Sequence, residues 1–269
     1  MTLKEATDRL SRAGVPDARY DARALFAHAL GLSPSELLDP FCDYTSDALE
    51  AAISRRESRE PLQYIIGEVG FYRESYIVTP DVLIPRADTE CLVDFAVKNI
   101  PEGESFLDLC TGSGCIAIST LKNTRGTSAE AVDISKAALD VARQNAEKNG
   151  VLERLTLTCA DVMEYSPRGS FYAVLANPPY VKDGVYPTLD AEIFAEPKAA
   201  FVGGDDGGDF YRRLVPLAKS LIKPEGFIAL EIGYDQSELI EGLSRECGLN
   251  IEIIRDLGGN PRCAVLRKV

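Results

Sequence analysis

Asn177-Pro178-Pro179-Tyr180 stands directly after the apolar run Val174-Leu175-Ala176. Two successive prolines stiffen the chain and remove two backbone donors. What remains is a local excess of acceptors: the Asn177 side-chain oxygen and the neighbouring carbonyls. A rigid, acceptor-rich turn suits an incoming –NH2 group. The nitrogen of an amide is a poor nucleophile because its lone pair is delocalised. Two acceptors on its hydrogens would hold it in line with an electrophile and stabilise the positive charge that develops. Tyr180 can pack against a planar group. Alone, Asn-Pro-Pro is a stiff turn; its chemical meaning depends on what accompanies it.

A second constellation lies upstream. Asp108-Leu109-Cys110-Thr111-Gly112-Ser113-Gly114 ends one apolar run and precedes a helical pattern. Glycines there let backbone amides approach a ligand closely. Nineteen residues after Gly114, Asp133 ends the next apolar run, where a carboxylate can accept both hydroxyls of a ribose. Gly112-x-Gly114-x-x-Ala117 also satisfies the dinucleotide fingerprint with Ala in third place. Two features favour S-adenosyl-L-methionine over a dinucleotide. The Asp108 carboxylate suits a cationic methionine moiety and repels a pyrophosphate. Ala160-Asp161 follows the third strand, at an edge suited to adenine.

These residues need elements to position them. Ser105–Leu109, Ser128–Asp133, Leu155–Thr158, Phe171–Ala176 and Phe227–Ile232 are expected strands, with two more near 250–255 and 262–268. Between them the spacing predicts helices over Cys115–Lys122, Ser135–Lys148, Asp209–Leu221 and Asp235–Cys247. Alternation of this kind predicts an α/β, doubly wound sheet with helices on both faces, ligands binding at its carboxyl edge. Residues 3–60 are expected to be helical. One helix runs from Leu3 to a stop at Gly14 and a second from Arg19 to Leu30. A short third opens at Ser33-Pro34 and a fourth spans Ser46–Arg59. Pro61–Pro85 is aromatic and β-branched around turn residues, which predicts a hairpin-like linker through Tyr64-Ile65-Ile66 and Tyr76-Ile77-Val78.

Bulk properties narrow the options. The chain has 269 residues and a net charge of −13, and neither its first sixty residues nor the remainder is basic. A surface for binding a phosphate backbone needs clustered Lys and Arg, so direct nucleic-acid binding is not expected. Seven cysteines lack metal-ligand spacing and there is one histidine, His28. The thiols are expected to be reduced and mostly buried, as in a cytoplasmic protein, and no metal site is expected. Met1–Glu5 carry no basic region before an apolar stretch, and no apolar run reaches about 18 residues, so neither a signal peptide nor a membrane span is expected. His28 is expected to pack on its helix, Asp205-Asp206 to form a solvated turn, and Arg212-Arg213 to form a helix face.

Taken together, these pieces resemble the release factor glutamine methyltransferases, the PrmC or HemK family, over nearly the whole chain. The resemblance includes Pro61-Leu62-Gln63-Tyr64-Ile65-Ile66-Gly67, Phe71-Tyr72, and Thr79-Pro80-Asp81-Val82-Leu83-Ile84-Pro85-Arg86. It continues in Glu196-Pro197, Phe201-Val202-Gly203-Gly204-Asp205-Asp206-Gly207 and Phe210-Tyr211-Arg212-Arg213. Asn-Pro-Pro-Tyr alone is shared with adenine-amino methyltransferases of nucleic acid, the alternative reading. The resemblance implies a helical bundle over residues 1–60 that binds the release factor, a β-hairpin linker over 61–86, and a methyltransferase domain over 87–269. That domain is implied to be a seven-stranded class I sheet with an antiparallel last strand. It also implies methyl transfer from S-adenosyl-L-methionine to the glutamine of a Gly-Gly-Gln loop in class-one peptide chain release factors. The cofactor residues implied are Cys110, Thr111, Gly112, Ser113 and Gly114, Asp133, Asp161 with Val162, and Asn177. Asn177 and the Pro178 carbonyl would hold the glutamine amide, with Pro179 and Tyr180 beside it. Three positions depart from the family pattern. Cys110 stands where many members have Gly, Ala87 where Pro is frequent, and Gly258–Arg262 matches only loosely. Cys110 needs either negative φ or strain.

Overall fold

The computed structural model describes residues 1–33, 35–37, 42–167, 169–256 and 258–269. They form two compact units: residues 1–68 with 190–195, and residues 69–189 with 196–269.

The first unit is helical. Helix α1 (Leu3–Arg12) buries Leu3, Ala6 and Leu10 on one face. It starts in a capping box: Thr2 Oγ1 accepts from the Glu5 amide at 3.2 Å and Glu5 accepts from the Thr2 amide at 2.7 Å, an arrangement worth about 1 kcal/mol. Helix α2 (Ala18–Leu30) ends at Gly31, φ +68°. Helix α3 (Asp47–Glu57) is capped by Ser46, which accepts from the Leu49 amide at 3.1 Å. Of the short helix expected to open at Ser33-Pro34, residues 34 and 38–41 lie outside the described residues, and Ser35 and Glu36 form a turn. Helix α4 (Leu62–Ile66), closed by Gly67 at φ +82°, corrects the extended reading of Tyr64-Ile65-Ile66. One helical turn lets Leu62 and Ile65 both enter the core around Leu10, Leu25, Phe26, Leu49 and Ile53, and that packing overrides β-branched propensity. Buried Arg56 donates to Asp21 at 2.6 Å and to Glu192 at 2.8 Å, tying residues 190–195 into this unit.

A hairpin follows, β1 (Glu68–Phe71) and β2 (Glu74–Ile77), which belongs to the second unit from Val69 onward. Then follow α5 (Glu90–Asn99), β3 (Ser105–Leu109), α6 (Cys115–Lys122), β4 (Ser128–Asp133), α7 (Lys136–Lys148), β5 (Leu155–Cys159) and β6 (Phe171–Ala176). The chain closes with α8 (Asp209–Leu221), β7 (Ile222–Glu231), α9 (Ser237–Glu246), β8 (Leu249–Arg255) and β9 (Pro261–Lys268). The expected strands and helices lie within a few residues of these. Helix α5 has no counterpart in the sequence pattern, and β7 begins five residues earlier than expected. The seven strands run in the order β5-β4-β3-β6-β7-β9-β8. β9 alone runs against the other six strands.

Alternate strand residues feed the two faces. Phe106, Ala173, Leu175, Phe227 and Ala229 pack with Leu92, Ile116 and Ile118. Leu107, Val174, Ala176, Ile228 and Leu230 pack with Tyr211, Leu214 and Ile240. The order reverses between β3 and β6, the switch point at which ligands bind in such sheets. There the register pairs Leu109 with both Val132 and Ala176, and Ala176 with Leu230. The next residues of these four strands, Cys110, Asp133, Asn177 and Glu231, therefore lie along one edge. Two of the seven free cysteines, Cys115 and Cys263, are buried and Cys159 is exposed, so the thiols are less buried than expected. Among the described residues no group of three or more His, Cys, Asp and Glu could hold a metal, and no helix is long and apolar enough to cross a membrane.

Candidate active site

The turn after β3 is held by its own neighbourhood. The Thr111 amide donates to the Val132 carbonyl at 3.0 Å, and the Gly114 amide to the Thr111 carbonyl at 2.9 Å. The Gly112 amide donates to Asp133 Oδ2 at 2.8 Å, while Asp133 Oδ1 accepts from the Ser135 amide at 2.9 Å. Cys110, Gly112 and Gly114 all have positive φ, at +62°, +55° and +81°. Cys110 therefore takes the strained alternative, a conformation costing a non-glycine residue about 1–3 kcal/mol. Its thiol is pushed well above the ordinary value by burial, with Asp133, Asp108 and Asp161 adding to the effect; it stays a neutral thiol.

The two glycines serve different ends. A Cβ at Gly114 would meet Ile118 at 2.8 Å and Ala142 at 3.1 Å, so this glycine lets α6 and α7 pack. A Cβ at Gly112 would meet nothing within 4 Å; it would project into open space.

That space is a cavity of about 280 Å³, close to the lower bound of about 300 Å³ for small-ligand sites. Cys110, Gly112, Asp133, Asp161, Val162, Asn177 and Pro179 line it, together with Ile134, Asp81–Leu83 and Phe210. Thr111, Ser113, Gly114, Pro178 and Tyr180 are not among the lining residues. Ile134, 63% exposed, offers an apolar surface at the lip. Beneath the turn Asp108 is fully buried. Its Oδ2 accepts from the Thr111 hydroxyl at 2.5 Å, and Oδ1 has no hydrogen-bond partner among the described residues. Burial pushes this carboxyl up to about 7, against the opposing pull of the Thr111 hydroxyl. Asp161 Oδ1 accepts from the Met163 amide at 2.8 Å. Arg213, expected only as part of a helix face, donates to the Val162 and Tyr165 carbonyls at 3.3 and 2.8 Å and braces the loop that carries Asp161.

The Asn177 turn is held from afar. The Asn177 amide nitrogen donates to Thr89 Oγ1 at 3.3 Å, and the Thr89 hydroxyl donates to Glu231 Oε2 at 2.5 Å. The Tyr180 hydroxyl donates to Glu231 Oε1 at 3.1 Å. Buried Gln236 donates to the Tyr180 carbonyl at 3.0 Å and the Gly207 carbonyl at 3.2 Å. Val181 pairs with Val202: the Val181 amide donates to the Phe201 carbonyl at 2.7 Å and the Gly203 amide returns a bond to the Val181 carbonyl at 2.9 Å. A Cβ at Gly203 would lie 2.6 Å from the Pro179 oxygen, and one at Gly207 would collide with the Tyr180 oxygen. The glycine-rich stretch after Phe201 is thus a brace laid against the turn. Glu196, buried, accepts from the Ile84 amide at 2.9 Å and pairs with Arg86, so it joins the two segments that flank the cavity beside Pro197 and Val82. Sequence pattern alone misses Thr89, Glu231 and Gln236, and it marks Glu196 only within the family resemblance, without its bracing role. Glu231 leaves a signal: it is a carboxylate closing an otherwise apolar strand. Thr89 leaves none, since the pattern does not mark α5 beside it.

A seven-stranded sheet with one antiparallel strand, whose carboxyl edge places a glycine turn, the Asp133 carboxylate and Asn177 of the Asn-Pro-Pro-Tyr turn on one cavity, defines a class I methyltransferase. A solved ribosomal protein L11 methylase from Lactobacillus delbrueckii subsp. bulgaricus shares the fold at TM-score 0.51 and 22% identity, over 68% of this chain and 81% of that one. The PrmC N-terminal domain family matches residues 2–67 and the Methyltransferase small domain family residues 87–208. A release factor glutamine methyltransferase of Moorella thermoacetica is 39% identical over 269 residues, 97% of this chain and 95% of that protein. Its counterpart in Caulobacter vibrioides is 37% identical over 265 residues, 96% and 92%. The chain belongs to the release factor glutamine methyltransferase family.

Proposed function

We propose that this protein transfers a methyl group from S-adenosyl-L-methionine to the side-chain amide nitrogen of the glutamine in the Gly-Gly-Gln loop of class-one peptide chain release factors. The observation that carries this reading is the Asn177 turn, which shares a cavity with Gly112 and Asp133 in a chain related to such enzymes over nearly its full length.

The residues present fit the cofactor. Gly112 leaves a space that a Cβ would fill, and Asp133 keeps a second lone pair on each oxygen. Asp133 would hold the ribose, Asp161 and Val162 the adenine neighbourhood, and Cys110 and Gly112, which line the cavity, the methionine part, with Thr111, Ser113 and Gly114 shaping the turn behind them. When bound, S-adenosyl-L-methionine supplies an electrophilic methyl with a neutral leaving group, so neither a covalent nucleophile nor a metal is required. Asn177 Oδ1 and the Pro178 carbonyl would accept the two hydrogens of the glutamine amide. They orient its nitrogen and stabilise the charge that develops there. The two prolines keep backbone N–H donors away from that nitrogen.

Residues 1–60 would contribute the surface that holds the release factor, with 61–86 as linker and 87–269 as the catalytic domain. A release-factor substrate implies work in the cytoplasm and no direct use of nucleic acid, in keeping with the net charge of −13.

Incubation with labelled S-adenosyl-L-methionine and either a release factor or DNA, followed by mass-spectrometric mapping, tests the proposal. The label is expected on the Gly-Gly-Gln glutamine. Label on adenine instead, or on another residue of the release factor, would overturn it.

A further inference from the structure

The amide of Asn177 has two ends, and only its oxygen can accept a hydrogen from an incoming amide. Something must decide which end faces the cavity. The decision lies outside the turn. Glu231 closes β7, is 2% exposed, and sits in the same edge row as Asn177. Burial raises the Glu231 carboxyl, while the Thr89 and Tyr180 hydroxyls and Arg262 favour its charge; ionised, it only accepts, so the Thr89 hydroxyl, 2.5 Å away, gives it its proton. The Thr89 oxygen is then left with lone pairs alone. It can pair with Asn177 only by accepting, which demands the Asn177 –NH2 at 3.3 Å. Thr89 is itself 2% exposed, so water does not offer an alternative partner. The Tyr180 hydroxyl occupies the second oxygen of the same carboxylate at 3.1 Å, which fixes the carboxylate in turn.

We infer that Thr89 and Glu231 are positioning residues that set the orientation of the Asn177 amide, so that its oxygen is presented to the acceptor nitrogen. This rests on the role proposed for Asn177. Neither residue touches the cavity; both act through Asn177. A hydroxyl and a carboxylate on two elements, remote in sequence, thereby select the rotamer of a third.

The test uses the full-length protein, S-adenosyl-L-methionine and a release factor. Thr89→Val removes the hydroxyl and keeps the shape. It should lower kcat about tenfold, the weight of one oriented hydrogen bond, with cofactor Kd by calorimetry close to wild type and Tm lower by several degrees, because the buried Glu231 oxygen loses its donor. Thr89→Ser restores the hydroxyl and should return kcat to within about threefold of wild type. Glu231→Met approaches the relay from its other end and should reproduce the kcat loss, which keeps the inference testable should Thr89→Val fold poorly. The decisive comparison is with Asn177→Ala. Adding Thr89→Val to it should cost nothing further, because residues acting through one group are non-additive. Independent, multiplying losses would overturn the inference, as would full activity in both Thr89→Val and Glu231→Met. Full activity in Asn177→Ala would instead refute the role of Asn177 itself, so the two failures are distinguishable.

Discussion

Two turns meet at one cavity and are built in opposite ways. The turn after β3 is tied to positions close in the chain: Thr111 to Asp108, three residues away, and Gly112 to Asp133, 21 away. The turn after β6 depends on Thr89, 88 residues before it, and on Glu231 and Gln236, 51 and 56 residues after their partner Tyr180. The first needs little beyond glycines and one βαβ unit. The second needs the whole sheet assembled, because its supports arrive from the residue before α5, the end of β7 and the residue before α9. A backbone-built ligand turn can form early and locally; an acceptor site whose polar groups must be aimed requires long-range packing.

The largest effect that would sharpen this contrast is expected from Gly207→Ala. The new Cβ collides with the Tyr180 carbonyl at a φ of +77°, so turnover should fall by more than about a hundredfold and stability by about 3 kcal/mol. Cofactor Kd should change much less, which calorimetry checks. A comparable loss of cofactor affinity would mean the two turns are not separately built.

Asp108→Asn probes the other turn through pH. Burial raises this carboxyl to about 7. A raised folded value means stability is present at low pH and lost as pH rises through it. The stability of the variant relative to wild type, read from Tm at each pH, should therefore rise from pH 5 to about 7, by on the order of 2 kcal/mol, and level off above. A constant offset across that range would contradict the buried, ionisation-linked role.

Arg213→Met keeps the aliphatic stem and removes the bonds to the Val162 and Tyr165 carbonyls. Cofactor Kd is expected to rise about three- to tenfold, with kcat at saturation unchanged. Arg212→Ala is the smallest case. Its partners Asp206 and Asp209 are exposed, and exposed pairs contribute little, so neither Tm nor turnover should move.

The same contrast explains what is legible in the sequence. Strand runs such as Phe171–Ala176 and the helix Cys115–Lys122 are visible because burial imposes its own period. The Gly112–Asp133 relation is visible because a βαβ unit fixes that spacing. Helix α4 is not, since Tyr64-Ile65-Ile66 favours strands locally and only the helical core reverses that preference. Thr89, Glu231 and Gln236 stay hidden for a different reason. Their chemistry exists only as distances between remote segments, and no local pattern encodes it. Gly203 and Gly207 belong to a stretch that carries the family resemblance, yet their physical purpose emerges only with the Pro179 and Tyr180 oxygens set against them.

The division of labour between the turns is tested most directly by a crossed measurement on Asn177→Ala and Asp133→Ala. For each, S-adenosyl-L-methionine Kd and the saturated single-turnover rate of glutamine methylation are measured. Asn177→Ala should keep its Kd within about threefold and lose about 10²–10³ in rate, as removal of a transition-state acceptor does. Asp133→Ala should raise Kd about 10- to 100-fold and recover most of its rate at saturating cofactor. The same pattern in both variants, or the two patterns exchanged, would contradict the account.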